Sequence, residues 1–209
     1  MAAEGAGYAA VVLAGGFSHR LGGVDKPALD IGGQSMLERV LAAVADARTR
    51  VVVGPHRPAP ADVLQVRENP PGSGPLAAIV AGVEVIESEA QPAQVALLAA
   101  DLPFLTNDAV RALLTAATDD AAVYVDDHGQ RQYLCAVWRF GPLRDQLRRL
   151  GAPAGLPLRH LYDDALVAEV RTLASPPPWY DCDTPTALER ARAAVERPDN
   201  VVEHPDNTA

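Results

Sequence analysis

The tightest constraint on the fold is a run of six apolar residues, Tyr8 to Leu13 (YAAVVL), that ends directly in glycines. Such a run, with no polar alternation, is the pattern of a strand covered on both faces, as in a parallel sheet. Similar runs recur downstream, at Val51 to Val53, Val63 to Val66, Gln94 to Ala100 and Ala121 to Val125. Between them lie segments of helical period. Ser35 and Glu38 form a capping box ahead of Leu37, Val40, Leu41 and Val44. Pro75 opens a second helix with Leu76, Ile79, Val80 and Val83 on one face, and a third starts near Thr106 with Val110, Leu113 and Leu114 inward. This alternation predicts an α/β fold, a single open and mostly parallel sheet with helices on both faces, Rossmann-like in class.

After Val125 the alternation loosens into a strand at Gln132 to Trp138, a helix from Pro142 to Leu150, a strand at Leu166 to Val170 and a last helix after Asp183-Thr-Pro-Thr. With 209 residues, the expected organisation is one domain over 1–197 and a disordered polar tail over 198–209. Hydrophobic residues at 48% are enough to build one core.

The net charge is −9 and no Lys/Arg run lines up against successive phosphates, which argues against a nucleic-acid partner. A small phosphorylated ligand stays compatible, because local cations, backbone N–H groups and a metal can reverse the field inside one cleft. Apolar stretches fall well short of the ~20 residues a membrane helix needs. Two cysteines, Cys135 and Cys182, stand in no CxxC spacing, and no leader precedes the first apolar run. The expectation is a cytoplasmic chain without disulfide, zinc or membrane.

The first apolar run opens into LAGGFSHRLGGVDK, residues 13–26. Its glycines let backbone N–H groups approach phosphate oxygens, and Arg20 and Lys26 can neutralise a triphosphate. The spacing fits neither a Walker loop nor a dinucleotide GxGxxG. The alternative is a Gly-rich surface turn with solvated Arg20 and Lys26. Asp101 closes a predicted central strand, where open α/β sheets bind ligands and where a carboxylate suits Mg²⁺; the alternative is a turn cap before Leu102-Pro103. Asp183, before Thr-Pro, reads first as an ordinary helix N-cap.

The string over 13–26 resembles the opening motif of the MobA-like NTP transferases, the family that includes molybdenum cofactor guanylyltransferase, with GGVDK where many members have GxDK. Three later segments follow in the family's order, GPLAA at 74–78, LLAADLP at 97–103 and DCDTP at 181–185, so the resemblance runs from Val11 to about Arg192. It implies a Mg²⁺-dependent transfer of a nucleoside monophosphate from an NTP, GTP foremost, to a phosphorylated acceptor such as molybdopterin. It implies a nucleotide site of Leu13, Ala14, Gly15, Gly16, Ser18, Lys26, Gly54, Asn69 and Gly74. It also implies catalytic roles for Arg20, Lys26 and Asp101, and a metal on Asp101 and Asp183. A transient contact with molybdopterin-handling enzymes is a further implication.

Two departures stand out. Asn69, in the pair Glu68-Asn69, replaces the Asp usual in guanylyltransferases, and Gly54 falls where some members have Asn. An amide both donates and accepts, so the base is left open between guanine and another, with a cytidylyltransferase as the alternative. Gln132 falls on the family's acceptor side, or in an ordinary strand. An inactive nucleotide-binding homologue is a third reading, opposed by the retained Arg20, Lys26, Asp101 and Asp183, since folding gains nothing from charges clustered in a cleft.

Overall fold

The computed structural model describes residues 7–15, 24–89 and 91–196. In chain order its strands are β1 (Tyr8–Leu13), β2 (Asp30–Ile31), β3 (Gln34–Ser35), β4 (Thr49–Val53), β5 (Val63–Val66), β6 (Gln94–Ala99), β7 (Ala121–Val125), β8 (Arg131–Arg139) and β9 (Val167–Val170). The α-helices are α1 (Met36–Ala43), α2 (Pro75–Glu89), α3 (Asn107–Ala116), α4 (Phe140–Leu150) and α5 (Pro185–Glu196).

All six residues of β1 are buried, as the unbroken apolar run requires. It lies inside a seven-stranded sheet of order β5-β4-β1-β6-β8-β7-β9, paired in parallel with β4 on one side and β6 on the other. Val11 sits opposite Val51 and Leu97 in this register. Because strand side chains alternate between faces, β1 divides its run between two cores. Tyr8, Ala10 and Val12 pack with Leu37, Val40 and Leu41 of α1 and Val110 and Leu113 of α3. Ala9, Val11 and Leu13 pack with Leu76, Ile79, Val83 and Ile86 of α2 and Leu143 and Leu147 of α4. Helices therefore cover both faces, as the alternation predicts.

Local signals hold where they were strongest. Ser35 caps α1 by accepting from the Glu38 N–H at 3.2 Å while Glu38 accepts from the Ser35 N–H at 2.7 Å, the reciprocal capping box. Thr106 caps α3, accepting from the Ala109 N–H at 3.2 Å. In the looser half, β7 and β8 are antiparallel because only residues 126–130 join them, too few for a parallel crossover. The chain places β8 between β6 and β7, so the parallel character is interrupted at a single strand.

The hairpin of β2 and β3 has no counterpart in the sequence reading, since two-residue strands carry no period. It matters because Ile31 and Met36 join Cys182 and Ala191 in a third apolar cluster that docks the C-terminal segment on the N-terminal one. Arg192 Nε adds a hydrogen bond to the Asp30 carbonyl at 3.1 Å. The stretch expected to form a polar tail, 198–209, lies outside the described residues. Among the described residues no helix is long and apolar enough to cross a membrane.

Ile79 has no solvent exposure, whereas Leu173 is fully exposed. Ile79→Ala is expected to lower the unfolding free energy by about 2–5 kcal/mol, and Leu173→Ser to change it by less than ~0.5 kcal/mol. Urea denaturation midpoints at constant m-value check both.

Candidate active site

The carboxyl ends of the parallel strands form a staircase in which each first loop residue is held by its neighbour's last carbonyl. Gly54 N–H donates to Val66 at 2.9 Å, Ala14 N–H to Val53 at 2.8 Å, and Ala100 N–H to Leu13 at 3.0 Å. These bonds fix the chain following β4, β1 and β6 in register, so the residues just beyond them line one edge. In open α/β sheets that edge is where ligands bind.

Gly54 belongs to the same geometry. It has φ +149°, and a Cβ there would stand 2.8 Å from the Ala14 carbonyl carbon and oxygen and 2.9 Å from the Gly15 nitrogen. Only glycine lets the loop after β4 lie against the loop after β1. Ala14 is completely buried and shapes the edge through its backbone, while Gly15 is exposed.

Lys26, on a short 3-10 turn (Lys26–Ala28), is the only lysine in the chain. Its ammonium lies 3.5 Å from Asp101 Oδ2 and also pairs with Asp183 Oδ1. Burial by itself pulls Lys26 down, but the carboxylates of Asp183 and Asp101 outweigh it and the net shift is upward. Asp25 is clamped by the guanidinium of Arg57, with Nη2 to Oδ1 at 2.5 Å and Nε to Oδ2 at 3.1 Å. Arg57, 8% exposed, also donates to the Pro55 carbonyl. The clamp ties the residue before Lys26 to the loop after β4.

Asp101 stands two residues past the end of β6, and its side-chain bond is the one with Lys26. Asp183 arrives from 157 positions away. Cys182 is buried in the third cluster, Phe104 meets Tyr180 edge-on with centroids 5.5 Å apart, and together they set the segment that carries Asp183. The cap of α5 comes from Thr184, whose hydroxyl accepts from the Ala187 N–H at 3.1 Å, so Asp183 is turned instead to Lys26.

A cleft of about 360 Å³ opens beside this group. Leu13, Gly15, Lys26, Gly74 and Asp101 line it, together with Glu68, Gly72, Pro75 and Leu134. Asn69 is exposed and is not among the lining residues; its neighbour Glu68 is buried and is. Glu68 Oε1 accepts from the Gly72 N–H at 2.8 Å. Sequence reasoning gave Glu68 no role because a glutamate after a short strand carries no local signal of which way it faces. Lys26 did carry one, its uniqueness against seventeen arginines. Gly16, Ser18 and Arg20 lie outside the described residues. Gln132 bonds Asp126 Oδ2 and the Gln130 carbonyl within the β7–β8 connection.

The chemistry open to this arrangement is electrostatic. Burial, with Asp101 nearby, pushes the Cys182 thiol up to about 12, and burial raises Cys135, so neither supplies a thiolate near neutrality. No group of three or more His, Cys, Asp or Glu side chains gathers among the described residues. Two carboxylates reaching one cation remain, which matches Mg²⁺ better than zinc: Mg²⁺ takes one or two carboxylates and completes its shell with phosphate oxygens and water.

The sequence profile of the MobA-like NTP transferase domain matches residues 10–172. The molybdenum cofactor guanylyltransferase of Nitrobacter hamburgensis is 35% identical over 147 residues, 66% of this chain and 70% of that protein. A nucleotidyl transferase from Methanothermobacter thermautotroptrophicus superposes with a TM-score of 0.74 at 24% identity, covering 93% of this chain and all of that one. Molybdopterin-guanine dinucleotide biosynthesis protein A from Archaeoglobus fulgidus gives 0.69 at 19% identity, covering 90% and 99%. At such identities these two structures share the fold.

The unique lysine makes its titration directly measurable. Carbon-13 methylation followed by NMR is expected to place Lys26 above its ordinary 10.5 and to show a downward shift in Asp183→Asn. Since the folded value is the higher one, the ion pairs stabilise the fold from neutral pH up to 10.5 and that contribution disappears as pH rises through the folded value.

Proposed function

The chain belongs to the MobA-like NTP transferase family and is a nucleotidyltransferase, and from that premise we propose that it transfers GMP from GTP to the phosphate of molybdopterin, releasing pyrophosphate, with Mg²⁺ held by Asp101 and Asp183. The observation that carries the proposal is the convergence of Lys26, Asp101 and Asp183 beside a cleft at the carboxyl edge of β1 and β6.

In the reaction an acceptor phosphate oxygen attacks the α-phosphorus, the bond from that phosphorus to the bridging oxygen breaks, and pyrophosphate leaves. The acceptor monoester already carries about −1.5 to −2 charges, so no side chain has to remove a proton. That agrees with a site that has no activated thiol. Lys26 neutralises phosphate oxygens, and the backbone around Gly15 receives them without a Cβ in the way. Arg20 and Gly16, in the same sequence motif, take part with them. The Arg57–Asp25 clamp orients the turn that presents Lys26, which is the alignment an in-line displacement demands. Bound on the two aspartates, Mg²⁺ supplies further neutralisation of charge at the α-phosphorus. The protein acts in the cytoplasm.

Titration with GTP, CTP, ATP or UTP, each with Mg²⁺, is expected to raise the melting temperature selectively with GTP, through the linkage of binding to folding. Asp101→Ala is expected to remain folded, with a melting temperature lowered only by the loss of its ion pair with Lys26, and to lose turnover by at least about a hundredfold. Selectivity for CTP would make the protein a cytidylyltransferase, and no shift with any nucleotide would remove the proposal.

A further inference from the structure

Two carboxylates brought to one cation repel each other, so something other than charge has to hold them together. Lys26 pairs with both Asp101 and Asp183, but an ammonium that turns to phosphate oxygens gives up part of its hold on each. The two aspartates are not placed alike. Asp101 comes directly after Ala100, whose N–H donates to the Leu13 carbonyl at 3.0 Å, so the sheet itself locates it. Asp183 lies between β9 and α5, in a stretch that belongs to neither strand nor helix, and packing has to locate it.

The packing that does so is aromatic. Phe104 stands three residues after Asp101, and Tyr180 three residues before Asp183. Their rings meet edge-on, with centroids 5.5 Å apart and planes at 82°, the arrangement that sets the positive edge of one ring against the negative face of the other. Each ring is anchored on its own side. Leu102 and Leu105 flank Phe104 and are buried in the core, and the Leu105 N–H donates to the Leu102 carbonyl at 3.2 Å. The Tyr180 hydroxyl donates to the Ala187 carbonyl in the first turn of α5 at 2.9 Å, and the Tyr180 N–H to the Pro177 carbonyl at 3.0 Å. Cys182, fully buried, packs into the same third cluster, and Asp183 beside it reaches Lys26.

We infer that Phe104 and Tyr180 are positioning residues for the divalent cation: their edge-on contact joins the Asp101 loop to the Asp183 segment and keeps the two carboxylates together when Lys26 engages phosphate. This rests on the proposed assignment of Mg²⁺ to both aspartates and deepens it. The contact is uncharged, so the charge of an arriving triphosphate does not weaken it.

Mn²⁺ suits the same oxygen ligands as Mg²⁺, and its free ion is counted directly by EPR, so Mn²⁺ alone is the probe. Phe104→Leu and Tyr180→Leu keep apolar bulk and lose the ring pair. Each is expected to raise the Mn²⁺ dissociation constant about fivefold or more. The double variant is expected to raise it no further, because both single changes break one contact. Tyr180→Phe keeps the ring and is expected to stay within about twofold of the wild type. Met36→Leu, elsewhere in the third cluster, is expected to leave the constant unchanged even where it lowers the melting temperature. A thermal melt of each variant checks its folding. Unchanged Mn²⁺ binding in both leucine variants, losses that add in the double variant, or an equal loss in Met36→Leu would each overturn the inference. Asp101→Asn and Asp183→Asn separate it from the reading beneath it. Both are expected to weaken Mn²⁺ about tenfold or more, and indifference to both overturns the metal assignment together with the inference.

Discussion

The structure depends on β1. It pairs on both sides, so its backbone polar groups are spent in two ladders, and its alternating side chains are shared between two cores. A strand so placed cannot slip by one residue without exchanging every side chain between the two cores. Its last carbonyl also holds Ala100, and the last carbonyl of β4 holds Ala14. The position of Gly15 relative to Asp101 is thus inherited from the hydrogen-bond ladder and not from the loops. This is why a site built on loop residues can be geometrically defined well enough for phosphoryl chemistry.

On that edge, a single lysine joins three segments that lie far apart in the chain. A protein that uses arginine everywhere else keeps lysine at position 26. The compact ammonium is a point charge with three rotatable donors, able to sit between two carboxylates and to exchange them for phosphate oxygens. Arginine's planar fork suits the fixed task that Arg57 performs on Asp25, where a bidentate pair holds the turn. The overall charge of −9 does not oppose an anionic substrate, because the field that matters is that of the few groups in the cleft.

The cleft is chemically polarised from one end to the other. The ammonium of Lys26 and the carboxylates of Asp101 and Asp183 lie at the centre of the sheet, and a buried carboxylate with an open oxygen lies toward the edge strand. The order tracks the strand order, with Asp101 after β6 and Glu68 after β5.

The sequence by itself determined the sheet and the helices that cover both of its faces, because each is encoded within one short window. An unbroken apolar run means burial on both faces, the capping box at Ser35 and Glu38 is complete within four residues, and Lys26 belongs to one contiguous motif. Sequence also singled out Asp101 from its place at a strand end. What only the tertiary structure decided involves residues whose meaning depends on distant partners. Asp183 could have been a helix cap until Thr184 was seen to take that bond and the third cluster was seen to carry Asp183 to Lys26. Gly54 is explained by the backbone of Ala14, forty residues earlier. Asn69 and Glu68 are adjacent in sequence but differ in exposure, and a single residue step after a short strand has no local pattern that tells which of them turns inward. Strand and helix periods are local free-energy terms that a chain writes into its own neighbourhood, whereas a cleft is made where separate segments meet, and only packing sets that meeting.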